Sequence, residues 1–488
     1  MKKIAIIGSG FSALSSAALL SKEGMEVTII EKNNDIGGRA RRLEDNGYTF
    51  DMGPSWYWMH DVFENFFNRL NYKSNDLYNL VKLDPGFKMI FKQGEICVPA
   101  DFRETCKMFD DYEENGAKKL KKFMSDAKKK YDIGMDFLYN SPGISFKEIL
   151  HKDLILNLGK LDLLSSYKKH VRKYFTNPLL IHLLEFPILF LGSTASKTPA
   201  LYSLISYSGI KKGTFYPMGG FFEIVKAMEK ICKKQGVHFL KNEEVIRINI
   251  KNKEATSLTT NKQTLKADII IASSDYAHVE KHLIEKKFRN YNDSYWEKKD
   301  FAPSALIFYL GVNQKLNELE HHNLFFDEDI KKNTEDIYKY KRWNKSPLFY
   351  VCRTSKTDKN VAPPGKENMF ILMPISIGIK DTEKIREKYF KLILSRIEKY
   401  TGKNIKENIE YKKSYCINDF KEDYNAYGGN AYGLANTLSQ TANLKPKMIN
   451  KKVKNLFYTG QLTVPGPGVP PSIISGQLIA EHIIKSMK

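Results

Sequence analysis

The chain has 488 residues, 42% of them hydrophobic, and a formal net charge of +21. That length exceeds one ordinary domain, and that apolar fraction excludes a disordered chain, so two or three packed units are expected. The lysines are scattered along the whole length instead of gathered into tails, so the charge reads as a compositional habit that suits an anionic membrane surface, and no nucleic-acid partner is expected.

Lys3 to Ile7 is a short β-branched run, a buried strand. Gly8, Ser9 and Gly10 interrupt the apolar stretch, so it does not read as a signal peptide. A helix follows from about Phe11 to Lys22 and ends at Gly24, and Met25 to Glu31 is a second strand. This is the opening βαβ half of a doubly wound sheet. Residues 104–135 have helical spacing, and 160–210 carry longer apolar helical stretches. Residues 214–250 repeat a helix-then-strand pattern. Strands are expected at Ala267 to Ala272 and over 300–312, 368–375 and 454–460, with a final helix from about Ser472 to Lys485. No run of about 20 uncharged apolar residues exists, so no helix is expected to span a membrane. The five cysteines, Cys97, Cys106, Cys232, Cys352 and Cys416, form no CxxC. Neither a disulfide framework nor a metal site is expected, and a reducing compartment fits.

Gly8-Ser9-Gly10-Phe11-Ser12-Ala13 has the form GxGxxA. The first glycine allows a tight turn, the second lets a pyrophosphate approach the backbone, and the small third residue permits close helix packing. Free N–H groups at the helix start favour the phosphate charge. Glu31 lies 21 residues after Gly10, where a carboxylate accepts from ribose hydroxyls and repels a 2′-phosphate. NAD and FAD both remain open on these features. Gly37-Gly38-Arg39 and the rigid loop Asp51-Met52-Gly53-Pro54-Ser55 favour FAD, because they offer backbone and a cation to a second part of the cofactor.

With these motifs in place, the chain resembles the flavin amine-oxidase-like superfamily, and within it the bacterial-type phytoene desaturases among the carotenoid and retinoid oxidoreductases. The resemblance runs from IIGSGFSALSSAALL through GTFYPMGGFFEIVKAM, APSALIFYLGV, HHNLFF and SKTDKNVAPPGKEN to FKEDYNAYGGNAYGL and LFYTGQLTVPGPGVPPSIISG. It implies that Gly8, Gly10, Phe11, Ser12 and Ala13 cradle the FAD pyrophosphate. Glu31 would serve the adenosine ribose, Lys32 would belong to the cofactor site, and Gly38 and Arg39 would line the diphosphate and ribityl region. Pro54 and Ser55 would belong to the same cofactor site. Val245 would contact adenine through its backbone, and Gly460, Gly468 and Val469 would lie near the flavin. The helix starting near Pro471 would aim its positive end at the pyrimidine edge. Three positions depart from the pattern. Ala13 stands for a third glycine, Gln461 for an acidic residue of the amine oxidases, and Lys445-Pro446 for Arg-Pro.

The fold this implies is α/β: a discontinuous Rossmann-type FAD-binding domain with an inserted α+β substrate domain and a helical membrane-associating region. The segments expected are 1–85, 214–290 and 441–488 for FAD, 86–213 for a largely helical substrate and membrane region, and 291–440 for a mixed sheet. The implied substrate is a long apolar polyene, phytoene, desaturated stepwise to lycopene by hydride transfer to FAD. Oxygen or a quinone would take the electrons. The rivals are another polyene desaturase or isomerase, an amine oxidase, or a flavoprotein that only binds membranes or nucleic acid. No motif marks a catalytic residue or a metal ligand. Trp56-Tyr57-Trp58 reads equally as flavin neighbour or core, His278 with His282 as a surface pair, and His321-His322-Asn323 carries no assigned chemistry. Lys168, Lys169, Arg172 and Lys173 ahead of the apolar run from Leu179 to Leu191 suggest monotopic attachment, with a buried helix as the alternative. The expected location is the cytoplasm, at the inner face of the cell membrane.

Overall fold

The computed structural model describes residues 1–140, 162, 165–441 and 444–487. Five parallel strands form one sheet in the spatial order Leu456–Tyr458, Ile269–Ala272, Lys3–Ile7, Glu26–Ile30, His238–Leu240. Their sequences are runs of β-branched residues because both sheet faces are covered. One face packs against the helices Phe11–Lys22, Phe222–Lys234 and Val469–Met487, through Leu14, Ala17, Ile224, Met228, Ile474 and their neighbours. The other meets a three-stranded antiparallel meander, Val245–Lys251, Glu254–Thr260 and Thr264–Lys266, through Val245, Ile248 and Leu258. The sheet therefore draws on the chain's beginning, its middle and its last strand.

A second, seven-stranded mixed sheet runs Ile409–Tyr415, Ser304–Val312, Glu367–Ile375, Phe349–Cys352, His322–Phe325, Phe87–Phe91, Gly94–Val98. Ser304–Val312 is buried along its whole length and pairs antiparallel with Glu367–Ile375. Helix Glu383–Thr401 covers one face. Helices Phe102–Tyr112, Gly116–Asn140, Tyr167–Arg172 and Pro178–Glu185 lie on the other side. The segment expected to be largely helical thus lends two strands, Phe87–Phe91 and Gly94–Val98, to this sheet.

Of the two readings of the apolar run near 180, the described side chains of Leu180, Leu183 and Leu184 fit the buried one. The long helices are short here. Asn177 caps Pro178–Glu185 with its side chain, and Pro187, which lacks an N–H, accompanies a tightening to a 3₁₀ turn over Phe186–Leu191. Leu180, Leu183 and Leu184 are each 0% exposed. They pack in the core of the larger sheet, where Phe186 meets Trp56 and Phe87. Glu185, which argued against membrane insertion, pairs with Arg172. These side chains face the protein's own interior. Among the described residues, no helix is long and apolar enough to cross a membrane.

Candidate functional site

Ile7, Ile30, Ala272 and Tyr458 end their parallel strands side by side, and the residues that follow them line one crevice. In open α/β sheets that edge is where ligands bind. Gly8, at φ +91°, turns the chain out of the first strand. Gly10 then precedes helix Phe11–Lys22, whose N-terminus receives no side-chain cap. Its first-turn N–H groups are open to an anion. A Cβ on Gly10 would meet no protein atom within 4 Å, while one on Gly38 would stand 3.3 Å from the Gly10 Cα. Two glycine turns therefore face each other beside open space. Ala13 is 0% exposed, and the Phe11 ring is buried in the core, so only the backbone of Phe11 can serve a ligand. Ser12 Oγ and Ser273 Oγ share a hydrogen bond of 2.7 Å.

Glu31 is buried at the end of the second strand. Its carboxylate accepts from Ser9 N (3.1 Å), Ser9 Oγ (2.6 Å), Asn33 N (2.9 Å) and Asn33 Nδ2 (3.1 Å). The side chain is thereby fixed in the turn that also holds Gly8 and Gly10. The Glu243 N–H donates to the Glu31 carbonyl at 2.9 Å, which carries the chain alongside to Val245, a buried residue at the head of its strand. Lys32 points away from the glycine turns. Its Nζ donates to the Glu422 carbonyl at 2.5 Å and lies 3.9 Å from Glu244.

The Arg39 guanidinium lies under the sheet edge. It donates to the Asn430 carbonyl at 3.1 Å and stacks over the Tyr424 ring at 5.0 Å. With its amide oxygen turned inward, Gln461 accepts from both Nη atoms at 3.2 and 3.0 Å. Burial lowers the Arg39 pKa, and Asp275 partly offsets that. Arg39 Nε is buried with no partner. The loop Asp51–Ser55 presses on this turn: a Cβ on Gly53 would come 2.5 Å from the Arg39 carbonyl oxygen. Asp51 accepts from the N–H groups of Phe221 (2.9 Å) and Phe222 (3.3 Å), and burial still pushes its carboxyl up to about 7. Pro54 leads into Ser55, whose Oγ accepts from Tyr350 Oη at 3.1 Å and so ties the loop to the larger sheet.

The C-terminal turn closes the crevice. Gly460 (φ +108°) approaches Ser12 so closely that a Cβ would lie 3.2 Å from its Oγ. Gly468 (φ +114°) begins the turn into helix Val469–Met487, and the Ser472 N–H donates to its carbonyl at 3.0 Å. Inside that helix a Cβ on Gly476 would fall 2.2 Å from the Ser12 carbonyl oxygen. The two helix starts are locked together through these glycines.

Sequence reading missed Ser273, Asp275 and Asn430, which complete the crevice around Arg39. Asp275 is buried, and its carboxyl is raised by that burial. The one available signal was its place just past a buried strand, where a doubly wound sheet gathers its ligands. Reading also drew nothing from Lys445. Its ammonium nitrogen is buried without a partner near Gly466 and Asn436 Oδ1, and burial brings its pKa down to about 7. Trp56 lies in the larger sheet's core, stacked on His322 at 4.1 Å, and Trp58 donates to Thr214 Oγ1 at 2.9 Å. His278 is half-buried beside His282, and burial lowers its pKa to about 4. His321 is also brought down, to about 3, and His322 well below its usual range, both chiefly by burial.

An uncapped helix start, open space at Gly10, a buried carboxylate at Glu31 and an unsatisfied Arg39 Nε fit a dinucleotide whose diphosphate enters between the two glycine turns. Comparison with known proteins points to the same class of cofactor. Residues 11–484 match the family described as flavin containing amine oxidoreductase, which makes the chain an FAD-dependent oxidoreductase. The carotenoid 3,4-desaturase of Haloarcula japonica is 36% identical over 486 residues, covering 99% of this chain and 98% of that protein. The 4,4'-diapophytoene desaturase of Staphylococcus aureus is 29% identical over 502 residues, covering 100% and 99%. Among solved structures, an oxidoreductase from Methanosarcina mazei (TM-score 0.63, 17% identity, 98% and 100% covered) and putrescine oxidase (TM-score 0.64, 13% identity, 99% of each chain) share the fold. The chain belongs to the carotenoid desaturase branch of the flavin-containing amine oxidoreductase family, whose members act on CH–CH groups.

Proposed function

We propose that this protein desaturates phytoene stepwise to lycopene. The observation that supports the reading is a similarity, over nearly the full length, to relatives named for carotenoid desaturation. In the proposed site Gly8, Gly10, Ser12, Ala13 and the Phe11 backbone hold the diphosphate, and Glu31 holds the adenosine ribose. Val245 flanks adenine. Gly38, Arg39, Pro54 and Ser55 line the ribityl side, and Gly460, Gly468 and Val469 the flavin. Lys32 has a lesser part, since its ammonium is engaged by Glu422. When bound, FAD supplies a hydride acceptor for a CH2–CH2 unit next to a double bond. The chain's own task is to orient an apolar polyene and to exclude water. The start of helix Val469–Met487 would favour negative charge on the pyrimidine edge.

A water-insoluble substrate is delivered from a bilayer, so the reading includes peripheral contact with the inner face of the cell membrane, with oxygen or a quinone as final acceptor. The +21 charge suits that contact. Leu180, Leu183 and Leu184, being buried, do not supply it. A second reading rests on the 36% relative, which is named for the 3,4 position: the substrate would then be a later carotenoid. Expression in one host that accumulates phytoene and in another that accumulates lycopene separates the two. The proposal expects a coloured extract from the first. A colourless extract there, with flavin-loaded protein present, overturns it, and a red-shifted extract from the second would favour the alternative.

A further inference from the structure

The antiparallel pairing of His322–Phe325 with Phe349–Cys352 sets His322 directly opposite Cys352, and His321 immediately precedes that strand. One ring nitrogen of each histidine and the Cys352 Sγ lie within 4.8 Å of one another. The three residues are 2%, 0% and 2% exposed, respectively. Each imidazole is anchored at Nδ1: His321 to Thr357 Oγ1 at 2.7 Å, His322 to Tyr350 Oη at 2.6 Å. Tyr350 spends its own hydroxyl proton on Ser55. With that proton so placed, the Tyr350 oxygen accepts and His322 Nδ1 carries the hydrogen. That tautomer leaves a lone pair on Nε2. The Nε2 atoms of both histidines are buried without a partner. An imidazole held at one nitrogen by an oxygen, with its other nitrogen free, is the usual preparation of a metal-binding histidine.

Two cations lie near His321, and each is paired with a carboxylate. Arg353 pairs with Glu367 at 3.1 Å and Lys356 with Glu320 at 2.6 Å. Cys352 and Ser55 also line a small cavity with Asp51 and Tyr216. A second cluster, Asp126, Asp162 and His170, is different in kind. There the Lys130 ammonium already sits 2.7 Å from Asp126 and 3.1 Å from Asp162, so the cation is part of the chain.

We propose that His321, His322 and Cys352 form a site for a borderline-soft divalent cation of the zinc class, held by two imidazole nitrogens and one thiolate, with a fourth position open to the cavity. Two nitrogens and a sulfur are the donor set such an ion takes in tetrahedral geometry. Binding would displace the Cys352 thiol proton to solvent and form one metal–sulfur bond, with no change of oxidation state. This inference does not depend on the identity of the polyene.

The test uses the full-length FAD-loaded protein, loaded with zinc or with cobalt(II) and then freed of loose metal by gel filtration. Wild type is expected to retain one ion per chain and, with cobalt, to show tetrahedral bands in the red, beyond the flavin absorption. Cys352→Ser should weaken zinc binding by more than tenfold and change the cobalt spectrum, and His322→Gln should abolish retention. Flavin absorbance and thermal melting check that each variant is folded. If His322→Gln fails to fold, Cys352→Ser decides. Wild type that retains no more metal than Cys352→Ser, or a cobalt spectrum indifferent to that substitution, overturns the proposal.

Discussion

The contrast between Gly10 and Gly476 makes a strict test of the cradle. Both sit on the helix pair that starts at the crevice, and both lack a Cβ for different reasons. A Cβ on Gly476 would lie 2.0 Å from Ser15 Oγ and 2.2 Å from the Ser12 carbonyl oxygen. Reaching ordinary contact requires the helices to part by roughly 1 Å, and overpacking of that kind costs about 1–3 kcal/mol. Gly476→Ala should therefore destabilise the protein without its cofactor and, because Ser12 moves, weaken FAD as well. A Cβ on Gly10 meets nothing within 4 Å. Gly10→Ala should then cost less than about 1 kcal/mol without cofactor, the scale of an N-cap change. Its methyl group would occupy the space left for the diphosphate, so FAD affinity should fall at least about tenfold, or ~1.4 kcal/mol. Urea denaturation of the FAD-free protein and titration of flavin fluorescence measure the two quantities separately. If Gly10→Ala binds FAD within about twofold of wild type, a shift worth ~0.4 kcal/mol, the diphosphate does not approach Gly10 and the cradle is misassigned.

Two further outcomes are expected. Leu184→Ala should cost about 2–5 kcal/mol in stability, as for a buried leucine, and leave binding to anionic vesicles unchanged; lost vesicle binding with unchanged stability would return this run to the membrane. Lys445 has its pKa lowered by burial from 10.5 to about 7. The unfolded chain then holds the proton to higher pH than the folded one, so stability rises between pH 7 and 10.5. Lys445→Met should be the more stable protein at neutral pH and below, with the gap closing as pH climbs through that window. Parallel denaturation curves across it would refute an unpaired amine.

What the sequence made legible was whatever it encodes within a few neighbouring residues. Gly8, Gly10, Ala13 and Glu31 belong to one strand–turn–helix–strand unit, so their spacing alone brings them together. Ser273 and Asp275 enter the same crevice from a strand more than 200 residues away, and nothing in ADIIIASSD distinguishes it from any buried strand. His322 and Cys352 meet only because two strands fall into one register. Their separation of 30 residues matches no metal motif. The run from Leu179 to Leu191 kept two readings open for another reason. Hydrophobicity states that a surface must be covered, and a bilayer and a protein core satisfy that demand equally. The larger sheet's core takes up Leu180, Leu183, Leu184 and Phe186 beside Phe87 and Trp56, which lie far off in sequence.

The parallel sheet also sets an order of events during synthesis. Lys3–Ile7 emerges first, yet its neighbour Ile269–Ala272 follows some 260 residues later, and the outer strand Leu456–Tyr458 later still. A nascent chain halted before residue 456 lacks that strand, the Gly460 turn and the helix that presses on Ser12. The glycine loop, made in the first moments of translation, must wait for nearly the whole polypeptide before it has walls. With the proposed site, loading of the flavin is expected to be a late event, and a truncated product is expected to retain the coenzyme poorly.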